Sequence, residues 1–256
     1  MNDLHGILFA YHSDADLGEL TRPRNTCSLA FGGRYRLIDF MLSSYVNAGI
    51  TDVGLIVHES YQSLLDHLGS GKDWDLSRKH GGLRILPPFS YAEKGVGTYR
   101  GNMEALAGVY SYLQNIRQDY VIMGWGDIAV NLPVAEILEK HLETGADVTM
   151  VCTKDMKGAP RRTTYVSVGE DGKVTDLAFN PAASAEDALE SLEVYIISKK
   201  LLLETVDYCA AHDIHNFGRG VLLPKLDTMK VMAYVHDGYV ARFQSVGGYF
   251  ERSMEL

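Results

Sequence analysis

Short apolar runs alternate along the chain with longer segments in which apolar residues recur every three or four positions. The apolar runs predict buried strands, and the recurring positions predict helices with one apolar face. Strands are therefore expected over ILFAY, VGLIV, YVIMGW and DVTMVCT. Helices are expected over FMLSSYVNAGI, YQSLLDHLG, EALAGVYSYLQNI and VAEILEKHLETG. Gly49 and Gly145 fall where two of these helices should end, because glycine commonly closes a helix C-terminus.

This alternation predicts an α/β fold with a mainly parallel, doubly wound sheet and helices on both of its faces. In such sheets, ligands bind at the carboxyl ends of the strands. The loops after Tyr11, Val57 and Trp125 are therefore the predicted floor of a site.

A different pattern begins near residue 164. The segment TYVSVGEDGKVTDLAF predicts a hairpin that turns at Glu170-Asp171-Gly172. The segment KVMAYVHDGYVARFQSV predicts a second hairpin that turns at Asp237-Gly238. A strand over LEVYIIS and a helix over SKKLLLETVDYCAAH separate the two. We expect these segments to add a smaller antiparallel lobe to the parallel sheet.

Composition restricts the classes of protein that fit. A chain of 256 residues, 46% of them hydrophobic, can form one large α/β domain or two small ones. The formal charge of −9 argues against general nucleic-acid binding, which needs a basic surface. No apolar run approaches the roughly 20 residues of a membrane span, and the first residues lack the order of a signal peptide. Cys27, Cys152 and Cys209 form no C-x-x-C pair, which is typical of a reducing compartment, so we expect a soluble cytoplasmic protein.

The loop after the first strand, within GILFAYHSDADLGELT, has the wrong chemistry for a phosphate site. Such a site needs glycines, whose backbone N–H groups approach the anion closely, and usually a cation. This loop instead carries Asp14, Asp16 and Glu19, and its only glycine, Gly18, comes late. The three carboxylates would repel a triphosphate.

Three longer segments nevertheless carry a family resemblance. FGGRYRLIDFMLSSYVNAGI resembles the segment after the phosphate loop of sugar-phosphate nucleotidyltransferases. GKDWDLSRKHGGLRILPPF resembles the W-D-L-x-R-x-x-G-G-x-x-x-L-P-P signature of bacterial glucose-1-phosphate adenylyltransferase, and NFGRGVLLP resembles its D-F-G-x-x-x-[IL]-P segment. With Gly126-Asp127, these segments span nearly the whole chain in the right order. The resemblance implies a Rossmann-like sugar nucleotidyltransferase fold over residues 1–256, of the kind that makes ADP-glucose from ATP and glucose 1-phosphate for glycogen synthesis.

Carried over residue by residue, the family's active site is mostly missing. The glycines of its L-A-G-G-x-G-x-R-L loop fall on Tyr11, His12 and Asp14, and its arginine falls on Asp16. The lysine of its K-P-A-x-P-F-G-G element falls on Thr26.

The later motifs are degenerate as well. The S-G-D-H metal motif keeps one carboxylate, Asp127, whereas the second metal-binding aspartate falls on Ser245. The F-E-E-K-P element, which supplies a glutamate and a lysine for the sugar phosphate, includes Phe179 and Asn180 here. No catalytic role is expected at the degenerate positions, which are Asp16, Thr26, Phe179, Asn180 and Ser245.

Two segments are candidates for a vestigial nucleotide pocket. Gly32, Gly33 and Arg34 belong to the first, and a plain turn is the alternative interpretation of the two glycines. Gly101 and Asn102 belong to the family's Y-x-G-T-A base-contact segment. Asp127 is interpreted as a vestigial, weak metal ligand, with a turn or helix-capping role as the alternative.

The missing groups matter because nucleotidyl transfer brings many negative charges together, which a metal ion, lysine and arginine must neutralise. Removing one such preorganised group commonly costs about 3–4 kcal/mol of transition-state stabilisation. Asp127 alone would hold Mg²⁺ poorly. We therefore expect no required cofactor, and Mg²⁺ only if the chain is an active enzyme.

These gaps match the regulatory-type, non-catalytic subunits of the family, which accompany a catalytic subunit in glycogen biosynthesis in some bacteria. The resemblance implies a catalytic subunit as partner in a mixed oligomer, and anionic sugar-phosphate or nucleotide effectors. Such regulatory chains normally continue into a C-terminal left-handed β-helix that this sequence lacks, so a truncated chain is expected. The alternatives are an active adenylyltransferase and a stand-alone nucleotide or sugar-phosphate sensor.

Two clusters of polar residues remain. Arg78, Lys79 and Arg84 begin the one notably basic stretch, which continues to Lys94 and Arg100. A solvated face is the ordinary interpretation, and an effector site or interface is the alternative, because arginine favours bidentate phosphate contacts. The segment from His212 to His215 contains too few ligands for a zinc site.

Overall fold

The computed structural model describes residues 3–11, 15–88, 99–156, 163–180 and 188–255. The strands are β1 (Leu4–Ala10), β2 (Ala30–Phe31), β3 (Tyr35–Arg36), β4 (Asp52–Val57), β5 (Gly82–Leu86), β6 (Tyr120–Trp125), β7 (Ile128–Val130), β8 (Val148–Thr153), β9 (Thr164–Val168), β10 (Val174–Phe179), β11 (Leu189–Ser198), β12 (Val231–Val235) and β13 (Val240–Arg242). The helices are α1 (Leu37–Asn47), α2 (Gln62–Leu68), α3 (Asn102–Gly108), α4 (Tyr110–Gln114), α5 (Val134–Thr144), α6 (Lys199–Ala211), α7 (Leu223–Lys225) and α8 (Val246–Ser253).

In the described ranges, nine strands form one mixed sheet. Its path runs β10-β9-β11-β6-β1-β4-β5, while β8 pairs with β11 and β12. The strands β6, β1, β4 and β5 are parallel, and β11 is antiparallel to both β6 and β8. The predicted α/β class is confirmed, and the sheet, predicted to be mainly parallel, combines parallel with antiparallel pairs.

Strand β1 packs against a core on each of its faces, which explains its continuously apolar sequence. Ile7 and Phe9 pack into the core on one side of the sheet, whereas Leu4, Leu8 and Ala10 pack into a second core on the other side. A strand with both faces covered reads as an unbroken hydrophobic run rather than an alternating one. The doubly covered sheet therefore follows directly from the pattern of its central strand.

Most predicted elements form within a few residues of their expected bounds. Gly145 closes α5 in the left-handed conformation (φ +58°), and Gly49 follows α1 with φ +81°. The helix predicted over EALAGVYSYLQNI is instead two short helices, α3 and α4, which are separated by Val109 (φ −116°, ψ 23°). The helix α3 ends at Gly108, and glycine has the lowest helix propensity of all residues except proline.

The hairpin predicted at Gly172 is confirmed, because β9 and β10 pair antiparallel on either side of it. The hairpin predicted at Asp237-Gly238 is wrong. There, β12 pairs in parallel with β8, whereas β13 pairs antiparallel with β7 in a separate two-stranded sheet. The His236 N–H extends the pairing with β8 by donating to the Cys152 carbonyl at 2.7 Å. A turn signal is local, and here the distant partner strands determined the pairing.

Antiparallel strands occur in three sheets of the described structure. The strands β9, β10 and β11 extend the main sheet, and the pairs β2–β3 and β7–β13 form small antiparallel sheets beside it. In the described ranges, no helix is both long and apolar enough to cross a membrane.

Gly6 in β1 provides a test of this packing. A Cβ atom added there would lie 2.7 Å from Cδ2 of the fully buried Tyr45. We expect Gly6→Ala to lower the free energy of unfolding by about 1–3 kcal/mol through overpacking, measured by urea denaturation. Gly247→Ala in α8 is the matched control, because its Cβ meets nothing within 4 Å and alanine favours helix. Equal losses in both variants would contradict the packing argument.

Candidate functional site

A cavity of about 330 Å³ lies at the carboxyl ends of β1 and β6, where the sequence places a site. Tyr11 and Trp125 come from these two strand ends, and Asp127 follows at the start of the next loop. The remaining wall residues come from six other parts of the chain: Tyr99, Arg100, Gly101, Asn102, Thr164, Phe179, Asn180, Glu193, Asn216, Arg219, Arg242 and Gln244.

Aromatic rings fill the floor of this cavity. The Tyr11 ring lies 5.0 Å from that of Tyr99 and 5.1 Å from that of Trp125, measured between centroids. Outside the cavity wall, His58 in the loop after β4 packs against Tyr99, with ring centroids 5.1 Å apart. Burial raises the pKa of Tyr11 well above its usual value, and the nearby Tyr99 and Glu193 add to this shift. The phenol is therefore neutral across the physiological range.

Asp127 is paired with a cation that the sequence analysis did not identify. Arg242 Nε lies 3.5 Å from Asp127 Oδ1, and both side chains are about nine-tenths buried. The register of β7 and β13 brings them together, because Arg242 lies directly opposite Ile128. Arg242 Nη2 also donates to the Leu192 carbonyl at 2.9 Å, which fixes the guanidinium. No local sequence signal links two residues so far apart in the chain.

Glu193 reaches the cavity from a strained position. Its φ of +53° lies in the left-handed region, which costs a residue other than glycine about 1–3 kcal/mol. The strain coincides with a bulge in β11, where the register against β8 shifts between Ser191 and Val194. The Glu193 N–H donates to Ser191 Oγ at 3.0 Å. Such outliers are enriched at functional sites.

Gly101 and Asn102 pack closely against the segment that contains His215 and Phe217. A Cβ on Gly101 would lie 2.2 Å from the His215 carbonyl oxygen, so only glycine fits this close approach. Asn102 Oδ1 accepts a hydrogen bond from the Phe217 N–H at 2.9 Å. These contacts anchor the start of α3 against the segment that carries the next wall residue, Arg219.

Arg219 lies in a π-helix, Gly218–Leu222, a rare conformation that is often found at functional sites. Its guanidinium carbon lies 4.9 Å from the centroid of the Phe179 ring. Arg100, at the rim, pairs with Glu104 at 3.0 Å and with Asp213 at 3.1 Å. Burial alone would raise the pKa of Glu104, but its hydrogen bonds with Arg100 outweigh this effect and lower it.

The degenerate positions lie in different surroundings. Phe179 and Asn180 line the cavity. Thr26 is buried in a short 3₁₀ turn that the Asn25 side chain caps. Ser245 caps α8, because its Oγ accepts a hydrogen bond from the Gly248 N–H at 3.1 Å. Asp16 belongs to the 3₁₀ segment Ala15–Leu20, but its side chain, like all of His12 and Asp14, is outside the described residues.

The other predicted binding residues lie apart from the cavity wall. Gly32, Gly33 and Arg34 form the exposed turn of the β2–β3 hairpin. Their assignment to a nucleotide pocket stays a prediction.

The basic stretch is on the surface. Arg78 forms an ion pair with Asp75, Lys79 is exposed, and Arg84 lies over the Tyr112 ring at 5.5 Å. Lys94 lies outside the described residues.

Near the cavity rim, His215 Nε2 is 3.5 Å from Asp213 Oδ1. No metal-binding group of three or more His, Cys, Asp or Glu side chains occurs in the described ranges.

The fold is of the α/β class, and its cavity lies at the carboxyl ends of parallel strands, where proteins of this class bind ligands. A model of the nucleotidyl transferase family matches residues 16–240, so the chain belongs to that family. It is 30% identical, over 99% of its length, to a protein of Halalkalibacterium halodurans, and 32% identical, over its whole length, to one of Thermomicrobium roseum. Both relatives are named glucose-1-phosphate adenylyltransferase, and the chain spans 67% and 60% of their lengths. The family predicted from the motifs is confirmed.

The buried ion pair gives a prediction for stability. Arg242→Met leaves the Asp127 carboxylate buried without its counter-charge, so we expect a loss of about 3–5 kcal/mol in the free energy of unfolding. The double variant Asp127→Leu with Arg242→Met should regain most of this loss, because no buried charge remains. Lys140→Met, which breaks an exposed pair with Glu143, should cost less than about 1 kcal/mol. A double variant as unstable as Arg242→Met, in urea denaturation, would contradict the pairing.

The helix cap gives a second prediction. We expect Ser245→Ala to cost about 1 kcal/mol of unfolding free energy, because the Gly248 N–H loses its acceptor. Ser245→Asp should retain the stability, since aspartate caps helices as well as serine does. Thermal unfolding of the two variants checks this, and an equal loss in both would show that the hydroxyl is not acting as a cap.

Proposed function

We propose that this chain is a non-catalytic, regulatory partner subunit of a glucose-1-phosphate adenylyltransferase in ADP-glucose and glycogen synthesis. The observation that carries the proposal is the pairing of Asp127 with Arg242. Asp127 falls on the one metal-binding aspartate that the family motifs retain. Its negative charge is already balanced within the protein.

The donors around Asp127 do not fit Mg²⁺. This ion is bound through one or two carboxylates together with waters and substrate oxygens. Arg242 is a fixed cation beside Asp127, the carboxylate that falls on a metal motif of the family, and a second cation there would be repelled. The family's second aspartate is replaced by Ser245, whose Oγ accepts a helix-capping hydrogen bond. The proposal therefore requires no metal cofactor, and only the active-enzyme alternative needs Mg²⁺.

Tyr11 also opposes phosphate binding. It falls on the first glycine of the family's phosphate loop, where an absent side chain lets the backbone approach the anion. Its buried ring is packed between Tyr99 and Trp125 instead. Efficient nucleotidyl transfer to a sugar phosphate would have to proceed without a metal ion and without the glycines and arginine of the family's phosphate loop. It would also lack the lysine of the K-P-A-x-P-F-G-G element.

The partners follow from the same proposal. The catalytic subunit is the expected partner in a hetero-oligomer, and anionic sugar phosphates or nucleotides are the expected effectors. The exposed cations Arg78, Lys79 and Arg84 are the proposed effector or interface residues. Co-purification of the chain with a catalytic subunit tests the assembly.

Pyrophosphate release provides the functional test. We expect no turnover of ATP and glucose 1-phosphate by the purified chain, with or without Mg²⁺, because the charge on the transferred phosphate is not neutralised. A catalytic subunit mixed with the chain should change in kcat or in effector response. The double variant Asp127→Leu with Arg242→Met, in which no buried charge is left unpaired, should leave that change intact. Asp227→Asn, at an exposed position, is the matched control. Turnover by the chain alone that this double variant abolishes would establish the active adenylyltransferase instead.

A further inference from the structure

A second cavity, of about 300 Å³, lies at the edge of the sheet opposite the first cavity. Strands β6 and β8 are both antiparallel to β11, so they begin at one edge, where β11 ends. The wall is built from the start of β6, the end of α5, the residues before β8 and the first turn of α6. Its side chains include Tyr120, His141, Leu142, Asp147, Lys200 and Glu204. None of these residues lines the first cavity or belongs to a motif that carries the family resemblance.

One buried histidine presents an unpaired nitrogen to this cavity. His141, in α5, is 2% exposed, and its Nδ1 lies 2.8 Å from Thr149 Oγ1. Among the described residues, the other ring nitrogen, Nε2, has no hydrogen-bond partner, yet it is not closed off from the cavity that the ring lines. Buried polar groups nearly always have a partner, so an exception needs an explanation. A ligand in the cavity would supply the missing partner.

The start of α6 adds positive character beside this histidine. The helix has 13 residues, and the N–H groups of its first turn carry the positive end of its dipole. Ser198 Oγ accepts from the Leu201 N–H at 3.2 Å, whereas the Lys200 N–H has no hydrogen bond among the described residues. The Lys200 side chain adds a full positive charge to the wall. When the Thr149 hydroxyl donates to His141 Nδ1, Nε2 carries the proton, so all three groups can donate to a carboxylate.

The same wall carries two exposed carboxylates, Asp147 and Glu204. Asp147 Oδ2 accepts from the Lys230 N–H at 2.8 Å, which orients the group. Lys230 Nζ donates to the Thr144 carbonyl at 2.6 Å, and this side chain does not line the cavity. Two carboxylates beside a single lysine side chain repel a plain anion but attract an ammonium group. The ligand that fits this wall therefore carries one negative and one positive group.

The rest of the wall is apolar. Leu142 is 51% exposed, although it is a large hydrophobic side chain, and it lies beside the partly buried Tyr120 and Leu201. Covering such a surface with an apolar group contributes about 25 cal/mol per Å². The cavity volume of about 300 Å³ is at the lower end of small-molecule sites, which range from about 300 to 1,000 Å³. The ligand is therefore small and has an apolar part.

We propose that this second cavity binds a free α-amino acid with an apolar side chain. Its carboxylate accepts from His141 Nε2 and from Lys200 at the start of α6. Its ammonium group lies beside Asp147 and Glu204, and its side chain covers Leu142. The proposal concerns a site apart from the first cavity and holds whether or not the chain assembles with a catalytic subunit.

Isothermal titration calorimetry on the purified chain tests the ligand class. The probes are L-leucine, L-methionine and L-phenylalanine, each with its two analogues that lack either the ammonium or the carboxylate group. For L-leucine these analogues are 4-methylpentanoate and 3-methylbutylamine. We expect saturable binding of at least one amino acid, and binding about 10-fold weaker or worse for both of its analogues, because each loses a charged hydrogen-bonding group. No saturable binding of any amino acid, or an analogue that binds as tightly as its amino acid, would overturn the proposal.

A charge reversal then locates the bound amino acid. Lys200→Glu should weaken its binding about 10-fold, because an anion replaces the cation beside the carboxylate. The fold should tolerate this change, since Lys200 is exposed and a glutamate in the first turn favours the helix. Lys154→Glu, at an exposed position just beyond the far end of β8, is the matched control and should leave the affinity unchanged.

The role of the histidine is tested together with its partner. The double variant His141→Phe with Thr149→Val removes both members of the buried hydrogen bond, so it leaves no polar atom of that pair unsatisfied. It should weaken amino-acid binding several-fold with little change in thermal stability. Thr149→Val alone retains Nε2 and should retain the binding. Unchanged affinity in both Lys200→Glu and the double variant would show that the amino acid binds elsewhere and would refute the site.

Discussion

The ion pair between Asp127 and Arg242 determines what the cavity can hold. It joins the loop after the central parallel strands to β13, near the end of the described chain, and the Leu192 carbonyl fixes its guanidinium. Two opposite charges withdrawn from water are tolerated only as a pair, because either one alone is strongly destabilising. This mutual dependence makes Asp127 part of the framework rather than a free metal ligand.

The other wall residues also disfavour phosphate binding. Tyr11, Tyr99 and Trp125 occupy the floor with aromatic rings, and Glu193 projects a carboxylate from a strained bulge. A phosphate site requires the reverse, with open backbone N–H groups and excess positive charge. In this member of the nucleotidyl transferase family, the cavity wall instead carries aromatic rings and a paired carboxylate. The proposed regulatory role is argued from this wall.

Much of the fold could be predicted because its signals are local. The continuous apolar run of β1 indicated a strand covered on both faces, and the β9–β10 hairpin was correctly placed from the turn at Gly172. The motifs also identified the nucleotidyl transferase family. The hairpin predicted at Asp237-Gly238 was wrong because β12 and β13 each pair with a strand far away in the sequence. A good turn sequence cannot outweigh a buried parallel partner.

The sequence by itself predicted which residues of the family site are replaced, because Tyr11 and Ser245 stand where the family motifs have a glycine and an aspartate. Only the tertiary structure decided what the remaining Asp127 does. Its counter-ion, Arg242, is reached through the register of β7 against β13, and its neighbour Glu193 through a bulge in β11. Charge pairing depends on distance in space, which the order of residues along the chain does not specify.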